Sequence, residues 1–219
     1  DLTVVAIKEK RAAPGVAGED SPIEPHPEAL DAYTTAKVRQ ERLAIERCRA
    51  LGIGLCVLRP GALGGAGHPR PATIGQHAGP LHLVIGPARR LPVVHVANCA
   101  DAFAAALDAG AAGEGAFDVV DHPGATAWRF LRDALRRSGR FGLPVPVPYR
   151  LGLAAVGAVR RLAPAWLARR LPSFVDPARF AARYRPARID GARLRQALGW
   201  RPPLDREACL EQTFGRAGA

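Results

Sequence analysis

The sequence has no methionine and begins at Asp1. Lysine is nearly absent too: Lys8, Lys10 and Lys37 stand against a total of 31 basic residues, so the positive charge is carried by arginine. Only 6% of the chain is aromatic, and no docking motif for DNA or RNA is present. A nucleic-acid reader is expected to show both, so the formal charge of +11 is not assigned to nucleic acid. Ala, Gly, Pro and Arg dominate, as in GC-rich coding sequence, which accounts for much of the charge. The basic excess also suits an anionic small molecule or an anionic membrane surface. The four cysteines, Cys48, Cys56, Cys99 and Cys209, are too far apart for a zinc site built on close pairs, and no metal site is expected. No run approaches the ~18 apolar residues of a membrane span. The first residues do not read as a secretory leader, so a cytoplasmic location with reduced thiols is expected.

About half of the 219 residues are apolar, enough for a sizeable core. Leu2 to Ile7 and Ile53 to Leu58 read as short buried strands. Residues 11 to 29 read as a polar loop. Residues 33 to 51 read as a helix that Gly52 stops. Pro60 to Gly67 reads as a glycine-rich turn, and Val93 to Val96 as a strand. Asn98 is expected to cap a helix running to about Asp108. Phe117 to Val120 and Thr126 to Arg137 give a further strand and helix. The prolines in Leu143 to Pro148 exclude a central strand. Apolar helix over 149 to 162, a helix capped by Asp190, and a last helix after Pro203 complete the chain. Alternation of strand and helix predicts an α/β fold with a mainly parallel sheet. The expected division is a nucleotide-binding portion over 1–120 and a mainly helical substrate lobe over 121–219, partly interleaved.

Tyr33 and Lys37 stand four residues apart at the start of a helix, so both heads reach one cleft. A phenol titrates near pH 10 and is a poor base at neutrality; a cation beside it favours the phenolate. Such a pair can move a proton to or from a hydroxyl while hydride leaves the same carbon.

Four further stretches surround this pair. Glu19-Asp20-Ser21-Pro22-Ile23-Glu24-Pro25 resembles the Glu-Asp-x-Pro-x-x-Pro segment of extended short-chain dehydrogenases/reductases, the NAD-dependent epimerase/dehydratase family. Leu58-Arg59-Pro60-Gly61-Ala62-Leu63-Gly64 is similar to that family's Leu-Arg-Pro-x-x-Val-Tyr-Gly. Val94 to Ala102 resembles its His-Val-Asp-Asp-Val-Ala-Asp-Ala, and Leu198-Gly199-Trp200-Arg201-Pro202 its Leu-Gly-Trp-x-Pro.

The resemblance implies a Rossmann-like parallel sheet and an NAD or NADP cofactor. It implies Tyr33 as proton-transfer group, Lys37 as its tuner and ribose ligand, and Pro60, Gly61, Ala62 and Leu63 lining the nicotinamide. The implied partner is a small molecule, either a nucleotide sugar or, by likeness to the 3β-hydroxysteroid-dehydrogenase-like branch, a hydrophobic alcohol. A weak membrane-surface contact through Tyr149 to Leu171 and a homodimer are both compatible with it.

Two departures stand out. No Gly-x-x-Gly-x-x-Gly phosphate loop is present, which implies that Leu2 to Ile7 matches the family's fifth strand and that strands one to four are missing. Asp1 stands where the family has a serine, with Thr3 two places off. These departures leave two expectations open: a piece of a longer enzyme, which the missing Met favours, or a non-catalytic dinucleotide sensor or remnant. His95 reads as a hydrogen-bonded histidine at a strand end rather than a catalytic partner. Arg89 and Arg90 read either as diphosphate ligands or as a solvated pair. Trp128, Trp166 and Trp200 read as packing residues.

Overall fold

The computed structural model describes residues 2–6, 24–66, 74–121, 124–139, 142–164, 166, 170–186, 189 and 191–215. The acidic segment beginning at Glu19 falls mostly outside them, as do Asp1, His68, His122 and the Asp190 cap.

Strand β1 (Leu2–Ala6) leads through a 3-10 turn (Pro27–Ala29) into α1 (Ala32–Leu51). Asp31 caps α1, its carboxylate accepting from Thr34 N at 2.7 Å, and Gly52 ends it in the left-handed conformation at φ 64°. The chain then forms β2 (Gly54–Pro60), longer than the apolar run alone indicated. β1 and β2 pair in parallel, Leu2 with Gly54 through Ala6 with Leu58, and β2 pairs in parallel with β7 (Gly115–Val119). A parallel strand flanked on both sides buries both faces, which explains the unbroken apolar run from Cys56 to Leu58.

The stretch read as a turn after Pro60 is a second sheet instead. Pro60 is the last residue of β2, and β3 (Ala62–Gly64) pairs in parallel with β6 (Val93–His95). Gly61 is the step between the sheets: its N–H donates to Val119 O at 2.9 Å, while Ala62 N–H donates to Pro92 O at 2.7 Å. A Cβ on Gly61 would sit 2.8 Å from the Pro92 carbonyl carbon and closer still to its oxygen. Backbone cannot swing aside as a side chain can. Gly61→Ala should therefore cost about 1–3 kcal/mol, read as a lower midpoint in urea at unchanged slope.

Helix α2 (Val96–Asp108) starts one residue after β6. Its cap is His95, whose Nδ1 accepts from Ala97 N at 3.3 Å, and not Asn98, which is fully buried one turn inside. Helix α3 (Ala127–Ser138) is capped by Thr126 as expected. A third sheet, β4 (Gly75–Ala78), β5 (Leu81–Ile85) and β8 (Leu143–Val147), has the proline-rich β8 at its edge, where missing donors face outward. Helices α4 (Tyr149–Leu162), α5 (Pro177–Tyr184), α6 (Ala192–Leu198) and α7 (Arg206–Phe214) follow.

The main core joins Cys56 and Leu58 of β2, Phe117 and Val119 of β7, and α2 to Leu194 and Trp200. The last third of the chain thus returns to cover the first sheet. Trp200 Nε1–H donates to Asp101 Oδ1 at 2.7 Å, fixing the indole while its rings fill the core. Asn98 performs a similar fastening. Its amide donates to Asp121 Oδ1 and Leu204 O, and its oxygen accepts from Leu204 N at 2.9 Å.

Candidate active site

In a β1–α1–β2 unit with parallel strands, the helix runs back against the strand direction. Its N-terminus therefore stands at the carboxyl edge of the sheet, the edge where open α/β folds bind ligands. Tyr33 and Lys37 occupy that end of α1.

Tyr33 is 55% exposed, and Lys37 Nζ lies 5.9 Å from the centroid of its ring. That separation is within cation–π range. The ammonium also donates to Gln40 Oε1 at 3.1 Å. The two residues after the phenol are held: Thr34 by the Asp31 cap, and Thr35 through its hydroxyl to Asp31 O at 3.0 Å. The pair is thus presented outward on a fixed first turn.

A residue that the sequence reading passed over ties this helix to the sheet. Glu41 follows Lys37 by four positions and is 1% exposed. Its Oε1 accepts from Arg59 Nη2 at 2.5 Å, in an ion pair whose two side chains are 1% and 11% exposed. Arg59 immediately precedes Pro60. Tyr33, Lys37 and Glu41 form one line along α1, and at 1.5 Å per residue Tyr33 stands ~12 Å beyond the Glu41 anchor. The phenol therefore overhangs the end of β2, where Pro60 and Gly61 lie. The i+4 continuation from Lys37 was the available signal. Nothing in the linear sequence pairs it with an arginine 18 positions away.

Pro60, Gly61 and Ala62 are buried at this edge, and Leu63 is 45% exposed. Thr3 lies exposed on β1. The other candidates have structural tasks. His95 caps α2, and its backbone N–H donates to Asp121 Oδ2 at 2.8 Å. Arg89 is buried rather than solvated; desolvation pushes its pKa down to about 10, with Tyr184 partly opposing. Arg90 is exposed and reaches Gly124 O at 3.5 Å. Trp128 packs on the Leu91–Leu131 cluster, but Trp166 is 66% exposed, against its reading as packing.

Cys56 and Cys209 are poor nucleophiles. Burial pushes Cys56 up to about 11; burial and the nearby Asp121 carboxylate push Cys209 up to about 12. A cavity of about 80 Å³ lies between β6 and α7, bounded by His95, Asp121, Phe130 and Cys209. Neither Tyr33 nor Lys37 lines it.

No family model and no curated protein matches the sequence. Solved structures do match. MoeE5 in complex with UDP-glucuronic acid and NAD is 16% identical with a TM-score of 0.62, over 98% of this chain and 64% of that one. The UDP-glucose 4-epimerase of Thermus thermophilus, in complex with NAD, is 18% identical with a TM-score of 0.61, over 98% and 63%. The UDP-glucuronic acid 4-epimerase of Bacillus cereus, in complex with NAD, is 14% identical with a TM-score of 0.64, over 98% and 60%. The chain spans less than two thirds of the length of each of these proteins. At such identities the likeness concerns the fold: this chain has the Rossmann-like α/β architecture found in UDP-sugar epimerases.

Proposed function

We propose that the protein is an NAD(P)-dependent oxidoreductase or epimerase acting on a hydroxyl-bearing nucleotide sugar. The observation that carries this reading is the Tyr33–Lys37 pair, with Lys37 Nζ 5.9 Å from the centroid of the Tyr33 ring, at the carboxyl edge of a parallel sheet. The fold neighbours support it, since they were solved with NAD and, for MoeE5, with UDP-glucuronic acid. In this reading residues 1–120 carry the cofactor side and residues 121–219 the substrate lobe.

The residues present fit the nicotinamide end of such a cofactor. Lys37 offers an ammonium donor beside an open phenol. Pro60 to Ala62 form a closed, largely apolar wall with Leu63 projecting beyond it. When bound, the dinucleotide supplies the hydride acceptor and donor. Tyr33 exchanges a proton with the substrate hydroxyl, and Lys37 holds the ribose. The pyrophosphate end has no glycine-rich loop in this sequence, so tight binding by the 219-residue chain alone is not expected. A non-catalytic dinucleotide-binding protein is the second reading, favoured by Asp1 standing where the family has its serine.

Weak contact is best read by saturation-transfer NMR of NAD and of UDP-glucose, UDP-galactose and UDP-glucuronic acid with this chain. Transfer to the nicotinamide ribose protons, diminished in Lys37→Ala, is the expected result. Interconversion of the epimers separates the catalytic from the non-catalytic reading. No transfer to either ligand overturns both.

A further inference from the structure

Helix α4 is apolar on two opposite faces, and only one of them is covered. Tyr149, Gly152, Leu153 and Val156 turn inward onto Ile85, Phe180 and Tyr184. The approach is close: a Cβ on Gly152 would lie 2.8 Å from Phe180 Cζ. At 100° per residue, Leu151, Ala155, Ala158, Val159 and Leu162 fall together on the opposite side. Leu151 is 62% exposed and Leu162 82% exposed. Trp166, four residues further on, is exposed as well. A surface helix ordinarily turns charge outward, and large exposed apolar faces mark contact sites.

The charge along this stretch of the chain is of one sign. From Ala134 to Val175 the chain has eight arginines, no lysine and no acidic residue. Arg150 and Arg161 lie together along one flank of the apolar face, and Arg160 and Arg170 are also exposed. An apolar stripe with a nearby Trp and an arginine border is the pattern of a helix lying in a membrane interface. Nucleic acid would match the arginines but leave the leucines unsatisfied. A second copy would match the leucines but set this acid-free border against another like it. Among the described residues no helix is long and apolar enough to cross a membrane, so the contact is a surface one.

We propose that the outer face of α4 docks on an anionic phospholipid surface, with Leu151, Val159 and Leu162 entering the interface and Arg150 and Arg161 meeting the headgroups.

The test uses the whole chain and sedimentation with two kinds of vesicle, phosphatidylcholine alone and the same with about a third replaced by phosphatidylserine. Binding at least about tenfold tighter to the anionic vesicles is expected, since each arginine near such a surface adds about fivefold. Raised salt should weaken it. Arg150→Glu with Arg161→Glu should remove most of the preference, and Leu162→Asp should lower binding on both vesicle types. All three positions are exposed, so circular dichroism should show an unchanged fold. If a variant nevertheless melts early, the wild type still decides: Trp emission should shift blue only with anionic vesicles. Equal or absent binding to the two vesicle types overturns the proposal. So does undiminished binding by a folded Leu162→Asp, or a vesicle-free dimer that this substitution breaks.

Discussion

Tyr33→Phe should lower turnover on a nucleotide sugar about 10²- to 10⁴-fold, the range attributed to a positioned acid–base group. The melting temperature should stay within a degree or two, because a half-exposed hydroxyl on a first helical turn contributes little to stability. That separation makes the variant informative. Nicotinamide contact should persist, since Lys37 and the Pro60–Leu63 wall are untouched. Lys37→Met should lose both turnover and ribose contact. Steady-state rates, thermal melts and saturation-transfer spectra on the same preparations check all three expectations. Full turnover in the Phe variant would remove Tyr33 from the chemistry and with it the proposed mechanism.

Glu41→Ala should be the most damaging single change to the fold near the site. The substitution leaves Arg59, whose side chain is 11% exposed, without its partner at 2.5 Å. Breaking a buried ion pair by deleting one member costs about 3–5 kcal/mol, because the surviving charge stays desolvated. In the β2–β7 register Arg59 lies opposite Asp118, a buried acid, so a carboxylate remains near the guanidinium. The loss should fall toward the low end of that range. Replacing both partners by apolar residues, Glu41→Leu with Arg59→Met, should recover much of it. Urea midpoints of the single and double variants provide the measurement. Because the pair joins α1 to the strand ending at Pro60, Glu41→Ala should also lower nicotinamide contact by loosening the overhanging first turn. A Glu41→Ala protein as stable as wild type would show that the ion pair has little role in the fold.

Local elements were largely legible in the sequence. Gly52 ends α1 and Thr126 starts α3, through contacts made within a few residues. The Tyr33–Lys37 alignment follows from helix geometry alone. Errors arose where a segment's partner lies far away. Pro60 to Gly67 reads as a turn by composition, yet Ala62 to Gly64 form a strand because β6 waits 31 positions on to pair with Ala62. Asn98 has the chemistry of a cap, but the carbonyl and N–H of Leu204 draw it inside. Arg89, which reads either as a diphosphate ligand or as half of a solvated pair with Arg90, is buried.

By itself, then, the sequence determined the alternation of strand and helix, the Gly52 stop, the Thr126 cap and the phenol–ammonium pair, since periodicity and short-range hydrogen bonds act over a turn or two. The tertiary structure alone decided which acid anchors that pair, which glycine must stay a glycine, and which face of α4 remains uncovered. Those depend on distant atoms meeting in space: Glu41 with Arg59, Gly61 with Pro92, and Gly152 with Phe180. Arginine without lysine or nearby acid, a plain fact of composition, acquires its meaning only there, beside the exposed leucines of α4.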